Sequence, residues 1–266
     1  MNKLDLTGKV SVVTGASSGI GAAIALTFAQ HGSDVAIIDI NEEKGSKIAA
    51  EMSKKYNRRC IFYNCDVSKY DLVKDTCTRI ISEFGKVDNL ICGAGYLNSM
   101  PANEIKIEVW EKALAVNLSG AFYFIRCLIN PMLERAKGNI IIIGSSASIN
   151  GSGAGIDYAA SKTGLHGIIK ALSYEMLPRG IRANIITPAV IDTPIFRKRY
   201  PDNIKTNKML NAQMPCGRIG KPQDIANTAL FLASDISEYI CGQEIIADGG
   251  RTLYTHPAGS TTPKSK

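Results

Sequence analysis

The chain has 266 residues, of which 45% are hydrophobic and 21% charged, a globular composition with ample length to bury a core. It contains no run of 18 apolar residues, and its N-terminal stretch MNKLDLTGKV lacks the apolar segment of a signal peptide, so we expect a cytoplasmic protein with no membrane partner. The net charge of +7 could indicate a nucleic-acid partner, but the basic residues are spread along the chain, which favours a solvated surface and no nucleic-acid binding.

Short apolar runs alternate with longer helical patterns along the whole chain. The patterns predict strands at 10–15, 34–40, 60–67, 87–95, 139–146, 181–190 and 243–250. They predict helices at 19–32, 42–56, from an N-cap at Ser68 to about 84, within 101–136, at 158–178 and at 223–235. Residues 191–217 show no regular pattern.

Repeated alternation of strand and helix predicts an α/β fold, a single-domain Rossmann-type doubly wound parallel sheet of about seven strands flanked by helices. No linker divides the chain, so we expect one domain over 1–254, with a substrate lid at about 191–217. The polar tail at 255–266 contains Pro and Gly and is expected to be flexible.

The stretch TGASSGIG (14–21) lies between the first predicted strand and the first predicted helix. Its glycines, Gly15, Gly19 and Gly21, allow a tight turn and close approach of the backbone to a ligand. The free N–H groups of the following helix would then face a pyrophosphate. This context predicts a dinucleotide site.

Two aspartates end the next two predicted strands. Asp39 can accept hydrogen bonds from both adenosine ribose hydroxyls and would repel a 2′-phosphate, and no Lys or Arg lies in the glycine turn, so we expect NAD rather than NADP. An N-cap role for Asp39 on a helix at 41–56 is an alternative that does not exclude the first. Asp66 could reach the adenine amino group or cap the next turn.

Tyr158 precedes Lys162 by four residues in GIDYAASKTG (155–164), a spacing that places both side chains on one face of a helix. An ammonium beside the phenol would favour the phenolate and lower the pKa of Tyr158, giving a base that works near neutral pH. The same spacing also occurs by chance on many helices, so the pair requires support from other motifs.

Taken in chain order, Gly15-x3-Gly19-x-Gly21, Asp39, Asp66, Asn117 in AVNLSG, Ser145 and Tyr158-x3-Lys162 resemble the motifs of the short-chain dehydrogenase/reductase family. The resemblance covers about residues 5–253, including GRIGKPQDIA (217–226) and DGG (248–250). The sequence departs from the family pattern at CGAG (92–95), where asparagines that tie the central strands are missing, at Pro188-Ala189 and at Cys241.

The resemblance implies a catalytic set of Asn117, Ser145, Tyr158 and Lys162. Tyr158 would be the general acid/base, Lys162 would lower its pKa and hold the nicotinamide ribose, and Ser145 would stabilise the substrate oxygen. Asn117 would hold, through its helix backbone, a water that relays protons from Lys162. Ser145 is chosen because the family's serine lies 13 residues before the tyrosine; Ser146 and Ser148 are alternatives for substrate contacts.

The resemblance also implies NAD as cofactor, with Thr193 on the carboxamide. The implied cofactor contacts are Gly15, Ser17, Ser18, Gly19, Ile20, Gly21, Asp39, Ile40, Asp66, Val67, Gly93, Ala94, Gly95, Asn117, Tyr158, Lys162, Pro188, Val190 and Thr193. His166 follows Lys162 by one turn, and we expect a structural or interface role for it.

Within the expected lid, residues 193–217 contain five basic residues, Arg197, Lys198, Arg199, Lys205 and Lys208, against Asp202. With Asn98, Asn150 and Ser152 near the pocket, this composition favours a sugar, polyol or hydroxy acid, including one with an anionic group, interconverted between secondary alcohol and ketone. A solvated basic loop is the alternative, and Ile195, Phe196, Met209 and Met214 could equally line an apolar pocket for an apolar alcohol or steroid. A catalytically silent dinucleotide-binding protein is a further alternative.

Family members generally pair the helices around 103–136 and 158–178 across two-fold axes. Small and apolar residues lie on more than one face of the second helix, so we expect a homotetramer or a dimer. Seven scattered cysteines form no CxxC pair, which predicts reduced, mostly buried thiols and no metal site.

Overall fold

One parallel sheet of seven strands organises residues 4–151 and 154–253, the part of the chain that this computed structural model describes. The strand order is β3-β2-β1-β4-β5-β6-β7, and every neighbouring pair is parallel. The strands are β1 (Val10–Thr14), β2 (Asp34–Asp39), β3 (Cys60–Asn64), β4 (Asn89–Cys92), β5 (Gly138–Ile143), β6 (Ile181–Pro188) and β7 (Glu244–Ala247). The Rossmann-type α/β fold is therefore confirmed; Ser152 and the tail at 255–266 lie outside the described residues.

Ten α-helices are found in the described residues. They are α1 (Gly19–Gln30), α2 (Glu42–Tyr56), α3 (Tyr70–Phe84), α4 (Ile107–Leu114), α5 (Gly120–Glu134), α6 (Ala147–Asn150), α7 (Ile156–Met176), α8 (Pro194–Arg197), α9 (Ile204–Ala212) and α10 (Pro222–Ala233). A π-helical turn, Ala115–Ser119, joins α4 to α5, so that the chain is helical throughout 107–134.

Two hydrophobic layers cover the two faces of the sheet. Side chains of α3, α5 and α7, such as Ile80, Leu128 and Leu165, pack on one face. Side chains of α1, α2 and α10, such as Phe28 and Met52, pack on the other. The central strand β5 is buried along its whole length, as its unbroken apolar run predicts.

The helical stretch Ile107–Glu134 is long and apolar enough to cross a membrane by length and composition alone. In the fold, however, α5 supplies core side chains such as Phe124, Leu128 and Met132, each fully buried. Its apolar character is therefore explained by packing against the sheet.

Several predicted strands are longer than the observed ones at their C-terminal ends. The stretch predicted at 60–67 ends at Asn64, and the one at 87–95 is a strand only at Asn89–Cys92. The residues beyond these points leave the sheet as loops, because the pairing with the neighbouring strands ends at Asn64 and Cys92.

Two other predictions about local structure are wrong. Ser68 does not cap α3: its N–H and hydroxyl donate to Asp66 Oδ1, and the helix begins one residue after Lys69. Residues 191–217 are not irregular, because they contain α8 and α9, which Thr193 and Asn203 cap with their side chains.

Candidate active site

The glycine turn after β1 packs so tightly that side chains are excluded from it. Gly15 has a φ of +69°, and a Cβ there would lie 2.7 Å from the Ala94 Cα. A Cβ on Gly21 would lie 2.2 Å from the Gly15 carbonyl oxygen. Ser18, in the N-cap position of α1, makes no side-chain cap within the described residues, so N–H groups of the first helical turn are left for a ligand. This bare backbone at a helix N-terminus fits the pyrophosphate of a dinucleotide.

Thr14 joins the glycine turn to the loop after β4. Its hydroxyl oxygen accepts hydrogen bonds from the N–H groups of Gly93 (3.0 Å) and Ala94 (3.1 Å). The missing asparagines of the CGAG segment therefore do not leave this junction loose. Cys92, which stands at one of their positions, is buried, and burial raises the pKa of its thiol to about 12.

Asp39 lies at the end of β2 with its carboxylate beside the glycine turn. Oδ2 accepts a hydrogen bond from the Ser17 N–H and Oδ1 accepts one from the Asn41 N–H, both at 3.0 Å. The cap of α2 is Asn41, whose side chain accepts from the Lys44 N–H, so the capping alternative for Asp39 is wrong. Ile40 beside it is 70% exposed and free to contact a flat ring.

Asp66 and Val67 follow β3 on the same edge of the sheet. Asp66 Oδ1 accepts two hydrogen bonds from Ser68, which matches the turn-capping alternative for this residue. Val67 is buried against Gly120, where a Cβ would lie 2.9 Å from a Val67 methyl group.

Asn117 lies in the π-helical turn and is 2% exposed. Its Oδ1 accepts from the Tyr96 N–H at 2.6 Å, and its Nδ2 donates to the Tyr96 carbonyl and to Ser161 Oγ, both at 2.9 Å. The amide thus ties the loop after β4 to α7, with both of its N–H groups donated. The expected contact of the Asn117 backbone with a water stays a prediction.

Ser145, Tyr158 and Lys162 meet at the C-terminal end of β5. Ser145 forms a hydrogen bond with the Tyr158 side chain, and its Oγ accepts from the Ala147 N–H at 3.2 Å. Lys162 is 4% exposed, and its Nζ donates to the Ile143 carbonyl at 2.8 Å and lies 5.7 Å from the centre of the Tyr158 ring. The helical spacing therefore brings Tyr158 and Lys162 together as expected, and Ser145 joins them from the end of β5.

The charge state of this pair differs from the sequence-based expectation. Burial raises the pKa of Tyr158, whereas the hydrogen bond from Ser145 acts in the opposite direction. Burial also lowers the pKa of Lys162 to about 8. Lys162 is not among the causes of the Tyr158 shift, and its ammonium donates to the Ile143 carbonyl, so the expected lowering of the tyrosine pKa by the lysine is not seen in this structure.

The segment after β6 lies against the glycine turn. Thr193 is buried, and a Cβ on Gly19 would lie 3.3 Å from its methyl group. Pro188 ends β6 and its carbonyl accepts from the Ser146 N–H at 2.8 Å, which links it to the serine segment. The Val190 carbonyl accepts from the Gly220 N–H at 2.9 Å.

The segment that the sequence predicts as a lid, 191–217, contains a small hydrophobic core of its own. Leu210, Met214 and Ile219 are buried there, with Phe196 and Tyr200 stacked at 4.8 Å beside them. Met214 and Phe196 thus belong to the lid core, whereas Ile195 and Met209 are exposed.

Arg197 in the lid is paired within the protein. Two of its nitrogens contact Asp192 at 2.6 and 2.8 Å, and a third donates to Asn207. The Asp192 contact raises the pKa of Arg197. Arg197 is therefore not a free cation for an anionic substrate, because Asp192 neutralises its charge. Lys198, Lys205 and Lys208 remain exposed.

Several residues that build the site were missed in the sequence. Ser161 is fully buried and holds Asn117, and Thr14 holds the loop after β4. Ser161 stands directly before Lys162, so its place on the motif helix was a usable signal. Thr14 carried none, because its partners are 79 and 80 residues away in sequence. Among the described residues, no group of three His, Cys, Asp or Glu could hold a metal ion.

Comparison with known proteins places this geometry among nucleotide-dependent oxidoreductases. A family model described as enoyl-(acyl carrier protein) reductase matches residues 15–252. The chain is 40% identical over 250 residues to 3-oxoacyl-[acyl-carrier-protein] reductase FabG of Chlamydia muridarum, covering 94% of this chain and 99% of the relative. It is 37% identical over 248 residues to D-threitol dehydrogenase of Mycolicibacterium smegmatis, covering 93% and 94%.

A solved structure shares the complete fold. The crystal structure of a putative NAD(P)-dependent gluconate 5-dehydrogenase from Beutenbergia cavernae, with NADP bound at low occupancy, superposes with a TM-score of 0.89 at 30% identity. The superposition covers 95% of this chain and all of the other.

Proposed function

The chain belongs to the short-chain dehydrogenase/reductase family, and on this premise we propose that it is a nicotinamide-dependent oxidoreductase that interconverts a secondary alcohol and a ketone. The observation that carries the proposal is the meeting of Tyr158, Ser145 and Lys162 at the end of β5, beside a glycine turn open to a dinucleotide. When bound, the nicotinamide accepts or supplies the hydride.

Tyr158 would transfer the proton to or from the substrate oxygen. Burial raises the pKa of its phenol, so the neutral form prevails at neutral pH and is ready to donate its proton to a carbonyl oxygen. Ser145, beside the same phenol, would turn its single hydroxyl hydrogen from Tyr158 to the carbonyl oxygen as charge develops there. This state favours ketone reduction, and alcohol oxidation would require loss of the phenol proton first.

Lys162 would hold the nicotinamide ribose and place its own ammonium charge near the Tyr158 ring. With a pKa of about 8 it is mostly protonated at neutral pH and loses its proton within a small rise in pH. Its anchor on the Ile143 carbonyl keeps the ammonium on the cofactor side of α7.

For the cofactor we propose a preference for NAD(H). Each Asp39 oxygen already accepts one backbone hydrogen bond and has lone pairs left for a ribose hydroxyl. A 2′-phosphate would meet this carboxylate at close range, and Ala16, Ser17 and Ser18 of the glycine turn offer no cation. The NADP-bound gluconate dehydrogenase makes this preference a matter for direct measurement.

For the substrate we propose a small polar hydroxy compound such as a polyol, sugar or hydroxy acid. The likeness to D-threitol dehydrogenase and to a putative gluconate dehydrogenase supports this class. A second candidate is a 3-oxoacyl thioester, which the 40% identity to a 3-oxoacyl-[acyl-carrier-protein] reductase favours.

We further propose a cytoplasmic homotetramer. Exposed apolar residues lie on the helices that the family pairs: Ile107 on α4, Phe122 on α5 and Tyr174 on α7 are 68%, 49% and 87% exposed. Burial of these side chains between copies would remove them from water. Light scattering at micromolar concentration should give four times the chain mass, and a monomer would refute the assembly.

The test of function is a turnover assay at the NADH absorbance band, with NADH and NADPH each offered with a panel of ketones and an acetoacetyl thioester, and NAD and NADP with D-threitol and gluconate. Tyr158→Phe should lower kcat by about 10²–10⁴-fold with NADH binding retained. Tyr174→Phe, on the exposed side of the same helix, should behave as wild type. A Tyr158→Phe enzyme with near-normal kcat would refute the proposed acid.

The cofactor preference has its own variant. Asp39→Asn removes the negative charge and keeps the side-chain shape, so kcat/KM with NADPH should rise relative to NADH. Equal or better kcat/KM with NADPH in the wild type would refute the preference for NAD.

A further inference from the structure

A chain of polar side chains joins the serine segment to the last strand of the sheet. Ser148 Oγ lies 2.6 Å from the Ser145 carbonyl oxygen and 3.0 Å from His166 Nε2. His166 Nδ1 lies 3.6 Å from Glu244 Oε2, and Glu244 Oε1 accepts from the Thr187 hydroxyl at 2.6 Å. We infer that His166 is a positioning residue for Ser145, acting through Ser148, an assignment that rests on the proposed function.

The hydrogen atoms in this chain have one consistent arrangement. Ser148 has a single hydroxyl hydrogen, and the 2.6 Å contact with the Ser145 carbonyl, which can only accept, uses it. The contact with His166 must then be donated by the ring, so Nε2 carries a hydrogen. The imidazole therefore fixes the direction in which the Ser148 hydroxyl points.

Glu244 fixes the other side of the ring. It is the charged group within ion-pair distance of His166 among the described residues of α6, β6 and β7, whereas Ser148 and Thr187 are neutral. The carboxylate is itself held by Thr187 on the neighbouring strand. The His166 side chain is 19% exposed, whereas Glu244 is an exposed residue at the start of β7. The ring therefore lies between the Ser148 hydroxyl and the Glu244 carboxylate.

This arrangement affects the position of Ser145. The Ser145 carbonyl accepts from both the N–H (3.0 Å) and the hydroxyl of Ser148, so two hydrogen bonds from Ser148 hold the peptide that follows Ser145. Its own Oγ contacts Tyr158 and the Ala147 N–H. Loss of the ring would free the Ser148 hydroxyl to rotate and loosen the turn that aims Ser145 at the substrate oxygen, with cofactor contacts untouched.

The test compares His166→Leu, Ser148→Ala, the double variant, and His166→Gln, whose side-chain amide can still donate to Ser148. We expect about a tenfold lower kcat for His166→Leu and for Ser148→Ala, with the Kd for NADH unchanged, because small misplacements of a reacting group are costly. The double variant should be no slower than either single one, and His166→Gln should recover most of the rate. His31→Gln, at the distant end of α1, serves as control.

Three kinetic results would each overturn the assignment. One is a His166→Leu kcat within about twofold of wild type. Another is a double variant with the full product of the single losses, which would mean that His166 and Ser148 act separately. A Gln variant as slow as the Leu variant would likewise exclude donation to Ser148 as the cause.

Amide hydrogen exchange gives a readout that does not need turnover. Exchange of the amides of Ser148, Asn150 and Gly151, which donate within the α6 turn, should be faster in His166→Leu than in wild type or His166→Gln, with β1 unchanged. If the wild type shows no oxidoreductase activity, the proposed function fails while the exchange experiment still judges the contact. Identical exchange in all three proteins would overturn the positioning role even in an active enzyme.

Discussion

Lys162→Met should make the protein more stable at neutral pH while abolishing its proposed chemistry. Lys162 is 4% exposed, and burial lowers its pKa from the ordinary 10.5 to about 8. Each pKa unit corresponds to about 1.4 kcal/mol. The charged lysine therefore lowers the free energy of unfolding by at most about 3 kcal/mol. The lost hydrogen bond to the Ile143 carbonyl offsets about 1–2 kcal/mol of the gain. Methionine should therefore raise the free energy of unfolding by about 1–2 kcal/mol near pH 7.

The pH dependence identifies the cause. Between the folded pKa of about 8 and the unfolded value of 10.5, the unfolded chain binds more protons than the native one. The wild type therefore gains stability as pH rises through this window, and its deficit relative to Lys162→Met shrinks. Tyr158 is common to both proteins, so its titration largely cancels in the comparison.

The assay is urea unfolding of both proteins at about pH 7, 8.5 and 10. Lys170→Met, an exposed lysine two turns along the same helix, is the matched control and should change stability by less than about 0.5 kcal/mol. A Lys162→Met protein less stable than wild type near pH 7, with a difference that does not vary with pH, would refute the reasoning. Such a result would mean that the environment of Lys162 stabilises its charged form and does not destabilise it.

Three further predictions concern the turn, the thiols and a buried carboxylate. Gly21→Ala places a carbon 2.2 Å from a backbone oxygen, so the Kd for NADH should rise about tenfold or more in a fluorescence titration. Gly167→Ala is the control: its added carbon meets nothing within 4 Å, and the Kd should not change. Exposed Cys216 should react first with a thiol reagent and buried Cys92 only on unfolding, and peptide mass spectrometry that finds the reverse order would contradict the burial. Asp157 is fully buried and neither carboxylate oxygen has a hydrogen-bond partner among the described residues, so Asp157→Asn, which cannot carry a buried charge, should raise Tm; a lower Tm would contradict this.

The site residues that could be predicted from the sequence lie in short motifs whose spacing is set by local structure. The glycine turn was visible because only glycine tolerates its contacts, and α7 brought Tyr158 and Lys162 together because a helix fixes the i to i+4 spacing. Asp39 was predictable because a strand that ends in a carboxylate next to a glycine turn has few other uses. Each of these inferences depends on neighbours within one turn or one strand.

The features that escaped prediction depend on contacts between distant segments. The pKa of Tyr158 is set by how much water the fold excludes, and no spacing in the sequence carries that quantity. Glu244 contacts His166 across 78 residues, and Asp192 pairs with Arg197 from one residue before the basic stretch 193–217. The short helices α8 and α9 have caps but little apolar periodicity, so their pattern resembled a loop.

The position of β1 in the sheet has a consequence for the chain as it is synthesised. Thr14 pairs with Ile38 on one side and with Cys92 on the other, so one edge of this apolar strand stays open until residue 92 has emerged from the ribosome. At about 5–20 residues per second, the 78 residues between Thr14 and Cys92 take about 4–16 s. Through that interval the segment VSVVT offers an unpaired edge on which other nascent chains can assemble. Ribosome-bound fragments that stop before β4 should therefore be the species that chaperones bind, and release should coincide with the appearance of residues 89–92.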